Sequence, residues 1–391
     1  MSDINRVVNA VVVGAGPVGL WAAIQTKLRN PESEIDVLEK NPVYQRGHVL
    51  KLNAKSLADC PKDPRLQAIV AEFIQNKHIR TNDIEQRLLG FAEEIGIRVR
   101  KNVEVVNPEN LLRLYPQAKV IIGADGAHSV IREKIFGNEM YAQGDQKYVI
   151  EVKYEVYGKG ARLNLIKQQY PTWKIMDGFA QEHVGTEKDG KTPITLRIFI
   201  DKEKYEQMQD ANFKHPYTFE NENKIHHRVR ERIWTWLNFK AGIAHEQRVP
   251  GSEKITTTRL GYYASKHVVK RVNNVAFCLV GDAALGVPFF RSLNNGFLEG
   301  TKLSKALAAI LAPKRSLVER LVSQITLRTH GMPWPLLRYS NYVRSLARTE
   351  IIIAAIKSFF LSLLILFIRI SARVPWQVNY WTEAQIDQLP T

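Results

Sequence analysis

Residues 7–19 read VVNAVVVGAGPVG, and this stretch decides the fold. The apolar, β-branched run over 7–13 is typical of a strand buried on both faces of a parallel sheet. It leads through a G-x-G-x-x-G turn into a helix-compatible segment over 20–28. In this context the glycines permit a tight turn, a close approach of the backbone to a pyrophosphate, and packing of the helix on the strand. The turn residues that we expect to bind a dinucleotide are Gly14, Gly16, Pro17, Val18 and Gly19.

A second segment, residues 34–39 (EIDVLE), is predicted to be the next strand, and it ends in Glu39. This acid follows the glycines by about 20 residues, where a carboxylate accepts hydrogen bonds from a ribose in dinucleotide-binding folds. The alternative is a bare glycine turn with a solvent-facing glutamate.

Two later strands also end in an aspartate. Residues 120–124 lead into a G-A-D-G segment that contains Asp125, and residues 275–280 lead into Gly281 and Asp282. Ligands of open α/β sheets bind at the carboxyl ends of the strands. Either aspartate alone could instead cap the helix that follows it.

Taken together, the three segments resemble the class A flavoprotein monooxygenases, the hydroxylases related to p-hydroxybenzoate hydroxylase. The resemblance covers residues 7–311. It implies that the glycine turn and Glu39 hold the ADP half of FAD, and that Asp125 and Asp282 hold the riboflavin half or its approach.

Two local resemblances within this family are narrower. Residues 39–52 are similar to a stretch of the MICAL-type actin monooxygenases, which adds Lys40 and implies that Arg46 lies against the flavin. The segment around Pro288, followed by Asn295, resembles kynurenine 3-monooxygenase. Neither resemblance identifies a substrate.

The predicted fold class is α/β. A discontinuous Rossmann-like FAD-binding domain of the p-hydroxybenzoate hydroxylase type is expected over 1–140 and 264–312. The alternating apolar pattern after residue 148 predicts an inserted antiparallel sheet, and this substrate domain is assigned to 141–263. A helical, hydrophobic segment is expected over 313–391.

The resemblance implies an FAD-dependent monooxygenase that uses NAD(P)H and O2, through a flavin C4a-hydroperoxide, on a small-molecule substrate. No second G-x-G-x-x-G exists, so NAD(P)H is expected to bind transiently. The sequence identifies no catalytic acid or base. The alternatives are an FAD-dependent reductase or dehydrogenase of the same fold and a non-catalytic, membrane-tethered FAD-binding protein.

One departure from the family motivates the non-catalytic alternative. Arg291 and Leu293 stand where the family usually has glycines that let the backbone approach the flavin. We expect either a flavin ring held differently or an Arg291 charge that stabilises reduced flavin.

The composition agrees with a folded protein of two or three domains, since 45% of its 391 residues are hydrophobic and 24% are charged. The two cysteines cannot form a disulfide framework, and no metal site is predicted, because His226 and His227 lack further ligands at suitable spacing. A polar N-terminus and few cysteines favour a cytoplasmic protein.

The net charge of +16 suggests an anionic partner, and its distribution favours a membrane over nucleic acid. The segment from residue 301 onward holds 12 Lys and Arg against 4 Asp and Glu, a net +8. It also holds the longest apolar run, 351–368, which contains Lys357. We expect this tail to lie in one leaflet, or else to pack on the protein or on a second subunit; the sequence does not specify the oligomeric state.

Overall fold

A computed structural model describes residues 7–43, 49–76, 79–160, 180–213, 215–287, 291–312 and 316–373. The chain forms two compact units. The first comprises Met1–Gly144 and Gly261–Ile352, and the second comprises Asp145–Leu260 and Ile353–Thr391. The domain boundaries predicted at 140/141, 263/264 and 312/313 stay predictions.

The strands of the described residues are β1 (Ala10–Val13), β2 (Ile35–Leu38), β3 (Val49–Leu50), β4 (Ile79–Arg80), β5 (Arg98–Arg100), β6 (Val120–Gly123), β7 (Met140–Tyr157), β8 (Ala180–Val184), β9 (Lys191–Ile200), β10 (Lys254–Ser265), β11 (Val269–Val272), β12 (Val275–Leu279) and β13 (Leu285–Gly286).

The helices are α1 (Pro17–Arg29), α2 (Ala54–Leu57), α3 (Pro64–Gln75), α4 (Thr81–Glu94), α5 (Asn110–Leu114), α6 (Val130–Phe136), α7 (Lys202–Gln207), α8 (His227–Ile243), α9 (Ser292–Leu311), α10 (Leu317–His330) and α11 (Trp334–Arg373). Two short 3-10 helices cover Phe219–Lys224 and Gly281–Ala283.

A six-stranded sheet organises the first unit, in the order β11-β12-β6-β1-β2-β5. All neighbours in it pair in parallel except β11 and β12. Every residue of β1, β2, β6 and β12 is buried, which explains the continuous apolar sequences of β1, β6 and β12, whereas β2 includes Asp36, which pairs with Arg98. Cys278 lies in β12, where burial raises the pKa of its thiol. This parallel sheet confirms the predicted α/β fold class.

Helix α1 packs on α9 in this unit. The Trp21 indole N–H donates to the Phe297 carbonyl and to the Thr301 hydroxyl, both at 3.1 Å. A Cβ atom on Gly300 would lie 3.1 Å from the Trp21 ring, so the glycine permits this close approach of the two helices. The packing fixes the start of α9 beside the start of α1.

An antiparallel sheet with the strand order β13-β10-β7-β9-β8 confirms the predicted second sheet. In the second unit, apolar residues of β7, β8 and β9 form one hydrophobic cluster with Val229, Ile233 and Trp236 of α8. The apolar spacing of residues 225, 229, 233, 236 and 237 predicts a helix over 220–239. The structure interrupts this helix, because the 3-10 turn ends at Lys224 and α8 begins after its N-cap, His226. Residues 161–166, whose alternating sequence predicts a further strand, lie outside the described residues.

Candidate cofactor site

The glycine turn between β1 and α1 is shaped by close backbone contacts. Gly14 has φ +104°, and a Cβ atom there would lie 2.4 Å from the Ala124 carbonyl oxygen. A Cβ atom on Gly19 would lie 2.0 Å from the Gly14 carbonyl oxygen. Both positions therefore require glycine, and the turn lies directly against the end of β6.

The N-terminus of α1 is open to a ligand. Gly16 is the N-cap and Pro17 is the first helical residue, and no side chain among the described residues caps the helix. The first N–H groups of a helix carry a partial positive charge and bind phosphates when nothing else caps them. This is the predicted pyrophosphate position.

Glu39 lies next to this turn. Its Oε2 accepts a hydrogen bond from the Ala15 amide at 2.9 Å, and its Oε1 accepts one from the Asn41 amide at 2.8 Å. The carboxylate is therefore held at the glycine turn rather than pointing into solvent, whereas Lys40 is exposed.

Asp125 follows β6, and its Oδ2 accepts hydrogen bonds from the amides of Val130 at 2.7 Å and Ile131 at 3.3 Å. The aspartate thus binds the first turn of α6, which is the capping alternative considered for it above. Burial raises the pKa of this carboxyl, while hydrogen bonds to the charged form oppose that shift.

Arg132 connects the Asp125 segment to the Asp282 segment, a role that the sequence analysis missed. Its guanidinium donates to the carbonyls of Ala283 at 3.0 Å and Asp282 at 3.3 Å, and also to the Ala127 carbonyl. The Tyr263 hydroxyl donates to the same Asp282 carbonyl at 2.7 Å. Arg132 is 5% exposed, and its position seven residues after Asp125 was the only local signal.

The third segment meets the first through Val18. Gly281 has φ +64°, and a Cβ atom on it would lie 2.9 Å from Val18 Cγ1. A Cβ atom on Gly296, in α9, would lie 2.5 Å from Val18 Cγ2. The start of α1, the turn after β12 and the first turn of α9 therefore converge around one side chain, and Asp282 lies partly exposed beside them.

Glu299 binds the turn after β12 from the protein interior. The side chain is fully buried in α9, and its Oε2 accepts a hydrogen bond from the Gly281 amide at 2.7 Å. Its Oε1 has no hydrogen-bond partner among the described residues. Burial raises the pKa of Glu299 well above its ordinary value, and the nearby charge of Asp282 adds to the shift.

Asn295 offers an unused donor. The residue is 4% exposed, and its Nδ2 has no hydrogen-bond partner within the described ranges. A buried amide donor without a partner is costly, and a bound ligand that accepts its hydrogen bond would remove the cost. Arg46 and Pro288, also predicted for the site, lie outside the described residues.

Arg291 does not present a free charge. Its guanidinium binds both oxygens of Glu350 in α11, at 2.5 and 2.6 Å. The carboxylate is almost fully buried, and it raises the pKa of Arg291. Of the two alternatives considered for this position, an Arg291 charge that stabilises reduced flavin would therefore have to act from a guanidinium that is already paired with an acid 59 positions away.

These features fit FAD. The glycine cradle, formed by Gly14, Gly16 and Gly19, leaves no room for side chains at Gly14 and Gly19. Among the described residues, no side chain caps the α1 N-terminus, and the Asn295 amide donor at the start of α9 has no hydrogen-bond partner. Within the described residues no group of three or more His, Cys, Asp or Glu side chains is arranged to hold a metal ion.

Solved structures of low sequence identity share this architecture. The chain is similar to PqsL, described as a probable FAD-dependent monooxygenase from Pseudomonas aeruginosa, with 11% identity, coverage of 90% of this chain and 96% of that one, and a TM-score of 0.53. It is also similar to aklavinone-11 hydroxylase in complex with FAD and aklavinone, with 17% identity, 80% and 63% coverage and a TM-score of 0.51. The chain therefore shares the fold of these two proteins.

The same architecture hosts other reactions. The Diels-Alderase PyrE3 matches over 93% of this chain and 79% of its own, with 14% identity and a TM-score of 0.54. The chain spans slightly less than two thirds of the hydroxylase. No protein-family model and no curated protein sequence matches this chain. The shared fold therefore indicates where a site would lie, whereas the reaction depends on the residues at that site.

Proposed function

We propose that this protein is an FAD-dependent monooxygenase that uses NAD(P)H and O2 on a small molecule. The observation that carries the proposal is the convergence of three glycine and aspartate turns, joined by Val18 on one side and by Arg132 on the other. Structural neighbours that are FAD-dependent monooxygenases support the reaction type.

The ADP half would bind at the glycine turn. The α1 N-terminus would accept the pyrophosphate between Gly14, Gly16 and Gly19, with Pro17 and Val18 forming the first turn. Glu39 would exchange its hydrogen bond from Ala15 for one from the ribose, and Lys40 would remain at the rim.

The riboflavin half would bind at the other two turns. Asp282, presented by Gly281, would accept hydrogen bonds from the ribityl hydroxyl groups. Asn295 would donate to the cofactor, and Asp125 would orient its loop through α6. Arg46 and Pro288 are proposed for the flavin side on the family resemblance.

When bound, FAD would supply the redox chemistry, accepting a hydride from NAD(P)H and activating O2. The chain would supply binding, orientation and exclusion of water. Glu299 would keep the turn beneath Asp282 in place without adding a second negative charge, because its raised pKa favours the neutral acid.

We also propose that the protein is cytoplasmic and associates peripherally with a membrane through its C-terminal helix. One helix, over Trp334–Phe367, is long and apolar enough to cross a membrane by length and composition. A membrane-associated enzyme would meet hydrophobic small molecules, so we include these among the proposed substrates.

The test is turnover of the FAD-reconstituted protein with NADH or NADPH under oxygen, against a panel of small aromatic and aliphatic molecules. The proposal expects O2 uptake that matches donor oxidation, with one oxygen atom from O2 in the product. Hydride transfer without oxygen in the product would identify a reductase. FAD binding without turnover on any donor would identify a binding protein.

A further inference from the structure

The C-terminal half of α11 has one covered side and one bare side. Ala354 is 3% exposed, and Ser358, Leu361 and Ile365 are half-buried on the same side. Leu364 packs against the hydrophobic cluster of the second unit. This side of the helix is therefore occupied by the protein itself.

The bare side is apolar. We define it as the outer face, and its residues are between 46% and 63% exposed: Ile356, Phe359, Phe360, Leu363, Leu366 and Phe367. Monomeric soluble proteins rarely expose a contiguous apolar surface of this kind. The face therefore needs a partner.

Helix geometry separates Lys357 from this face. At about 100° per residue, the outer face spans an arc of about 120°, and Lys357 lies roughly 115° from its centre. The lysine interrupts the apolar run in the sequence but not on the surface. It lies between the outer face and the covered side, where its amine can reach lipid phosphates while its stem follows the apolar surface.

The covered side argues against a membrane span. The Lys147 amine donates to the Ser362 hydroxyl at 2.8 Å, and Leu364 packs against the hydrophobic cluster of the second unit, so the C-terminal half of this helix is in contact with the rest of that unit. A spanning helix would have to leave these contacts to be surrounded by lipid. An amphipathic helix that lies in the interface keeps them and buries only its outer face.

Charge favours lipid over a second copy of the chain. Each chain carries +16, so two copies meeting at this face would repel one another, whereas an anionic leaflet attracts it. Beyond the helix, the sequence continues with Trp376, Tyr380 and Trp381, residue types that are enriched at membrane interfaces.

We propose that the outer face inserts into one leaflet of an anionic bilayer, with the helix axis parallel to the membrane plane and Lys357 at the level of the phosphates. This rests on the proposed membrane association, and it is independent of FAD.

The first experiment is flotation of the full chain with phosphatidylcholine vesicles, with and without phosphatidylglycerol. We expect binding to the anionic vesicles. The double variant Phe359→Gln/Leu363→Gln should weaken this vesicle binding about tenfold or more, because each of its two substitutions removes an apolar side chain that would insert into lipid. Lys357→Gln should weaken binding to anionic vesicles alone. Val106→Gln, at another exposed apolar side chain, should change nothing.

The second experiment measures depth. Tryptophan fluorescence of the Phe360→Trp variant, corrected for wild type, is quenched by lipids brominated at different positions along the acyl chain. Strongest quenching near the headgroups is expected. Strongest quenching at the chain ends would overturn the in-plane placement while leaving membrane association intact. The lipid assignment itself would be overturned if the chain failed to float with anionic vesicles. It would also be overturned if the chain formed a dimer that the Phe359→Gln/Leu363→Gln variant dissociates. In either case, retained flavin absorbance would show that the FAD proposal is unaffected.

Discussion

The Glu299 carboxyl accepts the hydrogen bond of the Gly281 amide at 2.7 Å, and it does so from a fully buried position in α9. A carboxyl in this setting resists ionisation because the interior solvates its charge poorly. Burial therefore favours the neutral form of the acid that binds the turn carrying Asp282.

The buried acid predicts that stability falls as pH rises. The pKa of Glu299 is raised on folding from its ordinary 4.5, so the folded state binds the extra proton. Above pH 4.5 the free energy of unfolding should decrease, by up to about 1.4 kcal/mol per pH unit, until the pH passes the folded pKa. Glu299→Gln should lack this slope, which urea unfolding across the pH range would measure. Parallel slopes in the two proteins would contradict it.

The same residue predicts a positioning effect on the cofactor. Glu299→Gln retains an acceptor for the Gly281 amide and should bind FAD nearly as wild type. Glu299→Leu leaves this buried amide unsatisfied and should cost about 1–3 kcal/mol of stability and weaken FAD binding. Fluorescence titration with FAD compares them, and equal affinities for the Gln and Leu variants would remove the positioning role.

Arg132 should be needed for both stability and FAD binding. Arg132→Ala removes the donor of the Ala283 and Ala127 carbonyls and leaves the Asp282 carbonyl with the Tyr263 hydroxyl alone, so we expect a loss of about 2–4 kcal/mol in the free energy of unfolding. Arg271→Ala, at a half-buried arginine that makes one hydrogen bond to the Asn274 side chain at the surface, is the control and should cost no more than about 1 kcal/mol. Equal urea midpoints for the two variants would argue against the connection.

The glycine cradle should not tolerate a methyl group. Gly19→Ala would place a carbon 2.0 Å from the Gly14 carbonyl oxygen, so the turn must shift and FAD retention should be lost. Gly90→Ala, in α4, meets no atom within 4 Å and should be neutral or stabilising by up to about 1 kcal/mol. The FAD content of the purified variants is the measurement; a Gly19→Ala protein that retains full FAD would disprove the cradle.

The Arg291–Glu350 pair should show strong coupling in a double-mutant cycle. Arg291→Gln leaves a buried carboxylate unpaired and should cost about 3–5 kcal/mol, whereas Glu350→Gln leaves an arginine that reaches solvent and should cost less. The double variant should be more stable than the sum of the single losses implies. Additive losses would mean that the pair contributes no interaction energy.

Sequence patterns within short segments predicted the buried strands and the glycine turn. The buried strands β1, β6 and β12 are continuous apolar runs, and the G-x-G-x-x-G sequence predicts both the tight turn and the helix that follows it. Since such strands end at one edge of a parallel sheet, the sequence also predicted that the three turns lie in one unit.

Contacts between distant residues escaped prediction. Arg132 bonds to a carbonyl 151 positions away, and Glu350 pairs with Arg291 across 59 positions. The outer face of α11 was missed for a related reason, because Lys357 interrupts the apolar run in the sequence and leaves the face only when the run forms a helix. The sequence around an arginine has no periodic pattern that indicates which distant backbone carbonyls its guanidinium will donate to.

The most direct test of the account is the flavin content of the purified protein. We expect a yellow protein with the visible absorption bands of oxidised flavin, and denaturation should release FAD at one molecule per chain. A colourless chain that takes up no FAD on reconstitution would contradict the account.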